Sequence, residues 1–309
     1  MSLLSQKHLQ DEEAAYAWVE AHIWPNGPVC PHCGGTERIS KMQGKATRTG
    51  LYKCYACRKQ FRVTVGTIFE KSHIPMHLWL QAFYLIAGSK KGISANQLHR
   101  TLGITLKSAW FVGHRIREAM RTGSLMAPMG GDGGSGVVEA DETFIGRKPG
   151  APKKRGYGHK NAVLSLVERG GEVRSFHVAD VKADTVVTIV KDNIAKEARV
   201  MTDDAGQYRD RLADFAEHGV VNHTAGEYVR GTVHTNTVEG YFSIFKRGMK
   251  GVYQHCSEKH LHRYLAEFDF RYNHRVAKGV HDEARATSMV KGAIGKRLTY
   301  RSTADQGAE

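Results

Sequence analysis

Thiols and carboxylates are the side chains whose spacing in this chain could do chemistry. Cys30 and Cys33 form one Cys-x-x-Cys knuckle and Cys54 and Cys57 a second, with twenty residues between them. Two tight turns of this kind present four thiolates tetrahedrally to one Zn²⁺, and the spacing falls in the zinc-ribbon range. A redox dithiol needs only one such pair, and paired disulfides need an oxidising compartment, so a structural zinc is the expectation. Cys256 stands alone in GVYQHCSEKH and reads as a packing or spectator thiol. The carboxylates of interest are Asp141, Asp203 and Glu239, far apart in sequence, with 35 residues between the last two. Three carboxylates at one point repel unless cations neutralise them, so their convergence implies two Mg²⁺ or Mn²⁺ ions. Such a pair activates a water or a 3′-hydroxyl for in-line displacement at phosphorus. Two neighbours compete: Glu142, on the opposite strand face from Asp141, and Asp204 beside Asp203. Strand alternation alone does not decide between them.

The elements that must position these groups follow from periodicity and capping. Residues 11–22 read as a helix with Asp11, Glu12 and Glu13 at the positive end of its dipole, stopping before Trp24-Pro25-Asn26-Gly27. The alternating segment Gln60 to Val65 reads as a strand after the ribbon. From Pro75 the texture is helical, with Leu78, Ala82 and Leu85 on one face. Ser94 is placed to cap a short helix carrying Leu98 and Leu102, Gly103 to make a turn, and Thr105 to cap a second helix with Ala109, Val112 and Ile116 inward. That is helix-turn-helix grammar, in which Lys107, Trp110, His114 and Arg117 would face outward toward a DNA groove. Residues 121–136, RTGSLMAPMGGDGGSG, are too rich in Gly and Ser to hold a packed element and mark a domain boundary.

Beyond that linker the pattern is mixed. Strands are expected at 137–145, 161–168 and 172–179, a helix at 184–195, a strand at 198–202, a helix from about 208 to 217, and a short strand at 220–221. Helices at 235–249 and 258–275 close the series, and the stretch after Ala277 carries no pattern. Three strands, a helix, a strand, a helix and a strand follow the order of an RNase H-like fold. In that topology the first and fourth strands are neighbours, which would bring Asp141 beside Asp203 and let a helix add Glu239. The fold class is therefore α/β: an RNase H-like catalytic domain preceded by a zinc ribbon and a helical helix-turn-helix domain. The divisions are 1–66 for the N-terminal helix and ribbon, 67–125 for the helix-turn-helix, 126–280 for the catalytic domain and 281–309 for a C-terminal tail.

Composition narrows the partners. The 309 residues carry 45 Lys and Arg against 31 Asp and Glu, a formal charge of +14, which points to a polyanion such as nucleic acid. The loop RKPGAPKKRGYGHK supplies candidate phosphate contacts in Arg147, Lys148, Lys153, Lys154 and Arg155. No stretch approaches the ~18 apolar residues of a membrane helix, and the N-terminus lacks the pattern of a secretory signal, so a cytoplasmic, nucleoid-associated protein is expected.

Several segments together resemble bacterial insertion-sequence transposases of the DDE class with an N-terminal zinc ribbon. They are CPHCGG with YKCYACRKQF, GTIFEKSHIP, ADETFIG, TDDAGQY, HTNTVEGYFSIFKRGMKGVY and EKHLHRYLAEFDFRYNHR. The resemblance implies that Asp141, Asp203 and Glu239 are the catalytic, metal-holding triad, and it favours Asp141 over Glu142 and Asp203 over Asp204. Lys246 resembles the basic residue of the class; seven residues after Glu239, it shares a helix face with it and would hold a DNA phosphate, with Arg247 as its rival. It further implies binding of the element's terminal inverted repeats in double-stranded DNA, cleavage that frees 3′-hydroxyls, joining to target DNA, and a homodimer or larger assembly on the DNA. Two other readings stay open: a zinc-ribbon DNA-binding regulator that has lost turnover, and a metal-dependent RNase H-like nuclease without strand transfer.

Overall fold

The computed structural model describes residues 5–121, 127–131, 136–152 and 155–299. They form two compact units, one of residues 1–121 with 280–309 and one of residues 122–279.

The first unit opens with α1 (Glu12–Ile23), whose N-cap Asp11 accepts a hydrogen bond from the Ala14 amide at 2.8 Å. The ribbon is a three-stranded antiparallel sheet of β1 (Ile39–Lys41), β2 (Tyr52–Cys54) and β3 (Gln60–Phe61), in that order. The expected strand over Gln60–Val65 pairs only at its first two residues. The chain then turns, with the Val65 amide donating to the Arg62 carbonyl at 3.0 Å, and buries Val63, Thr64 and Ile68. Helices α2 (Met76–Gly88), α3 (Ala95–Leu102) and α4 (Leu106–Met120) follow. Ser94 and Thr105 accept from the amides of Gln97 and Ser108 at 3.1 and 3.2 Å, and Gly103 turns the chain at φ 65°. A side chain at that left-handed position would be strained, which is why glycine stands there.

The second unit is built on a five-stranded sheet in the order β6-β5-β4-β7-β8. Strands β4 (Val137–Ile145), β5 (Asn161–Glu168) and β6 (Val173–Val178) are antiparallel neighbours. Helix α5 (Ala183–Asn193) crosses over to β7 (Arg199–Asp203), parallel to β4, and β8 (Glu217–Val221) is parallel to β7. A small hairpin of β9 (Val229–Arg230) and β10 (Val233–His234), absent from the sequence expectations, leads into α6 (Asn236–Gly248). A wider-turn segment, Met249–Tyr253, continues α6, and α7 (Leu261–Asn273) follows. One core holds Val138, Ala140, Leu164 and Val200 with Val186 and Val190 of α5. The other holds Val163 and Val167 with Phe242 and Phe245 of α6 and Leu265 and Phe268 of α7. Each face of the sheet is therefore covered by helix, which explains why β5 is buried along nearly its whole length.

No helix forms over residues 208–217. Successive turns replace it, Asp210 adopts φ 57°, and Tyr208, Leu212 and Phe215 anchor the segment in the core. The segment taken for a tail also differs from expectation: α8 (Asp282–Lys291) returns to the first unit and packs on α1, α2 and α4, burying Ala286, Met289 and Val290. Arg285 ties it down by donating to the Ala87 carbonyl at the end of α2, at 2.7 Å. Among the described residues no helix is long and apolar enough to cross a membrane.

Candidate active site and metal centre

In the ribbon, the hairpin geometry brings all four cysteine sulfurs within 4.8 Å of one another. Cys30 Sγ lies 3.6 Å from Cys57 Sγ and Cys33 Sγ 3.7 Å from Cys54 Sγ. A disulfide would need about 2.05 Å. Tetrahedral thiolates at about 2.3 Å from a zinc ion stand about 3.8 Å apart, so the donor set fits that metal. Trp24 and Phe61 meet at 5.8 Å edge to face, and Tyr52 stacks on Phe61, giving the ribbon a small core of its own. Glu20 of α1 accepts from Tyr52 Oη at 2.8 Å and Lys41 Nζ at 3.0 Å, which ties the helix to the sheet.

The carboxylates gather where β4 and β7 run side by side. Their parallel register ends at Glu139 opposite Met201; two residues further along each strand stand Asp141 and Asp203. The two aspartates therefore sit level on adjacent strands and on one sheet face. Glu142 takes the other face, where it accepts from Gln207 Nε2 at 3.1 Å and from the buried Tyr208 hydroxyl. Burial, followed by the charges of Asp203, Glu142 and Glu239, pushes the Asp141 carboxyl up to about 8. Burial also pushes Glu142 up to about 7, the Tyr208 hydrogen bond opposing and the Asp203 charge adding to it. Asp203 is raised by burial and by Asp204, against the Ala205 amide and His223. Among the described residues only the four cysteines bring three or more such ligand atoms within 4.8 Å of one another; the carboxylates form no three-member group that tight, and their mutual charge shows in the raised Asp141. Such unrelieved repulsion between acids on one face is what a divalent cation neutralises, and in that sense the donor set fits one.

Glu239 lies in the first turn of α6, half exposed, and its Oε1 accepts from Thr235 Oγ1 at 3.1 Å with His223 Nε2 at 3.5 Å. What fixes this helix start is a residue that sequence reasoning missed. Glu139, fully buried on β4, accepts from the amides of Thr237 and Val238 at 2.7 and 2.9 Å, and from Thr237 Oγ1 at 2.8 Å. Arg169 donates to the same carboxylate at 2.6 Å and to the carbonyls of Thr232 and His234. A carboxylate borrowed from the sheet thus serves as the helix cap, and Thr235 makes no cap bond of its own. The strand that carries Asp141 is thereby bonded to the turn that carries Glu239. The one sequence signal was an acidic residue at an inward position of an apolar strand, VVEADETFI.

The expected DNA contacts are scattered in their surroundings. Lys246 lines a cleft with Lys160 and Lys250, whereas Arg247 folds back to donate to Ser243. Arg147 donates to the Ala151 carbonyl, Lys148 to that of Ala179, and Arg155 is exposed; Lys153 and Lys154 lie outside the described residues. On α4, Lys107 and Trp110 are exposed as expected, but His114 and Arg117 are buried, at 1% and 4% exposure. That is a correction: α2, α3 and α8 all pack on α4, and the last of these was not foreseen from sequence.

Against this background the comparisons with known proteins are specific. The model of the transposase zinc-ribbon domain matches residues 10–60, and that of the ISXO2-like transposase domain matches residues 134–273. A relative from Halobacterium salinarum (strain ATCC 700922 / JCM 11081 / NRC-1), described as an uncharacterized protein in transposable element ISH50, is 30% identical over 268 residues. The alignment covers 80% of this chain and 86% of that protein. A transposase zinc ribbon followed by a transposase domain places the chain among the transposases. The chain belongs to the ISXO2-like transposase family.

Proposed function

We propose that this chain is a DNA transposase whose second unit is an RNase H-like catalytic domain of the DDE type, acting on the terminal inverted repeats of its own mobile element. The single observation that carries the reading is the level placement of Asp141 and Asp203 on adjacent parallel strands, with the Glu239 charge reaching Asp141. Asp141, Asp203 and Glu239 would hold two Mg²⁺ or Mn²⁺ ions. Bound there, the ions lower the barrier by activating the attacking oxygen and stabilising the leaving one. The protein's own part is positional. Glu139 and Arg169 fix the turn that presents Glu239, and Gln207 and Tyr208 hold Glu142 on the far side of the sheet. Lys246, two turns after Glu239, offers a cation to a DNA phosphate.

Helices α3 and α4, with their glycine turn, read as a helix-turn-helix, and exposed Lys107 and Trp110 near the start of α4 suit groove contact. Ribbon and helices would recognise the ends, and cutting two ends in one complex calls for a dimer or larger assembly. The test is to incubate the full chain with Mg²⁺ and DNA carrying the flanking inverted repeats and to map the cleaved strand and any joined product. Cleavage with joined 3′ ends, abolished in a folded Asp141→Asn variant, is the expected result. Hydrolysed ends without joining would favour a nuclease. Binding without cleavage under any divalent metal would favour a regulator, and unchanged activity in Asp141→Asn would overturn the site.

A further inference from the structure

The two cysteine knuckles of the ribbon share one backbone and carry different side chains. In each, the amide of the first cysteine donates to the carbonyl five residues on, Cys30 to Gly35 at 2.9 Å and Cys54 to Lys59 at 3.0 Å. In each, the residue after the second cysteine is left-handed: Gly34 at φ 73° and Arg58 at φ 63°. A Cβ added at Gly34 would meet nothing within 4 Å, so the backbone twist, and not crowding, is what favours glycine there. The same twist is unfavourable for arginine, and a strained residue kept at such a place points to a use for its side chain. At the places of Tyr55, Ala56, Arg58 and Lys59 the first knuckle has Pro31, His32, Gly34 and Gly35.

Further cations surround Arg58. Residues 30–60 carry seven Lys and Arg against one carboxylate, Glu37. Lys41 is held by Glu20, whereas among the described residues Arg38, Lys53, Arg58 and Lys59 make no ion pair. Arg38 is left-handed as well, at φ 53°, and its carbonyl accepts from the Tyr55 amide at 2.9 Å, which sets it directly across from the second knuckle. Tyr55 is 47% exposed, and Lys53 Nζ lies 5.2 Å from the centroid of its ring. Unpaired cations grouped around an exposed tyrosine are the donors that a sugar–phosphate backbone takes. We propose that the second knuckle, residues 54–59, with Arg38 and Lys53 beside it, is the face of the ribbon that grips double-stranded DNA. It does so through phosphates, anchoring the duplex without reading its sequence, and the first knuckle stays off the DNA. This inference rests on the transposase reading, in which the ribbon meets the element's ends.

The experiment measures binding of the full chain, without added divalent ion, to a duplex bearing the flanking inverted repeat and to a scrambled duplex of the same length, over a range of KCl. Arg58→Gly gives the second knuckle the residue that the first one has. It should keep its zinc and its melting temperature, since the backbone strain is relieved, while the slope of log affinity against log salt falls by about one on both duplexes. Arg58→Asn, whose side chain tolerates the left-handed conformation, should do the same, and Arg58→Gly with Lys59→Gly should lower the slope by about two. Lys45→Gln, at an exposed cation between β1 and β2, should leave the slope as it is. An unchanged slope in Arg58→Gly, an equal fall in Lys45→Gln, or a loss confined to the inverted repeat overturns the proposal. Loss of zinc from both Arg58 variants overturns it too, because the arginine would then serve to balance the thiolates. Cleavage of the inverted-repeat duplex by wild type with Mg²⁺ is scored separately: cleavage with an unchanged slope in Arg58→Gly removes this surface and leaves the transposase reading standing, and the reverse result does the opposite.

Discussion

Replacing Glu139 by glutamine keeps the volume of the side chain and removes its charge. The two oxygens of Glu139 serve different donors: one accepts from the amides of Thr237 and Val238, the other from Arg169 and Thr237 Oγ1. If the new NH₂ turns toward the amides of Thr237 and Val238, both of those bonds are lost; if it turns the other way, it faces the Arg169 donor and loses that bond, while the Thr237 hydroxyl can turn to accept from it. Arg169, only 22% exposed at its side chain, loses its ion partner at the same time. Removing one member of a buried pair costs about 3–5 kcal/mol. In a unit of this size each kcal/mol lowers the melting temperature by about 2–4 °C, so a fall of about 6–20 °C is expected. Calorimetry on the full chain reads it directly. Below the new transition, Glu239 should be less well held, so cleavage should need more Mg²⁺ to reach half its maximal rate. The double variant Glu139→Gln with Arg169→Gln should be destabilised by at least 1 kcal/mol less than the sum of the single changes, the mark of a direct pair. A melting temperature within a degree of wild type, or strictly additive losses, would refute the account of how the helix start is fixed.

Burial pushes the Asp269 carboxyl up to about 7, against hydrogen bonds from Tyr241 and Ser175. The unfolded chain releases that proton near the ordinary value of about 4, so the native state holds one proton more in between, and stability should fall as pH rises from about 4 to 7. Asp269→Asn should flatten that part of the curve of melting temperature against pH; an unchanged slope would assign it elsewhere. Zinc analysis should give one ion per chain, and Cys54→Ser should lose it and open the segment around residues 30–61 to protease while spectra of the second unit persist. Arg117→Ala should lower the melting temperature, because the residue is buried, whereas Lys107→Ala should leave stability alone and lessen the salt dependence of DNA binding by about one counterion. Equal effects of the two on DNA affinity with no difference in stability would contradict the packing described for α4.

Local grammar made much of this legible. The caps at Ser94 and Thr105 and the turn at Gly103 were written in residue types that only a few backbone geometries favour, and β4 followed from its apolar pattern to the residue. The spacing of four cysteines sufficed for the ribbon because two knuckles leave little freedom in how sulfurs meet. Contacts between distant segments were harder to read. Arg117 looked outward on a helical wheel, but helices from elsewhere in the first unit pack on α4 and bury it, and one of them, α8, has few apolar residues to announce it. Tyr208 to Glu217 had helix-forming composition, yet tertiary anchoring of Tyr208, Leu212 and Phe215 prevailed over propensity. Glu139 was missed for a related reason: its inward place in an apolar strand hinted at a buried role, but nothing local named the helix start about a hundred residues later that it caps.

The return of the chain to its first unit through α8 has a consequence for biogenesis. The sheet-bearing unit can complete its hydrogen bonding before α8 is made, but the helical unit waits for residues that follow the whole sheet in the chain. A nascent chain halted before Asp282 would thus hold a finished five-stranded sheet while α1, α2 and α4 still lacked the helix that covers them.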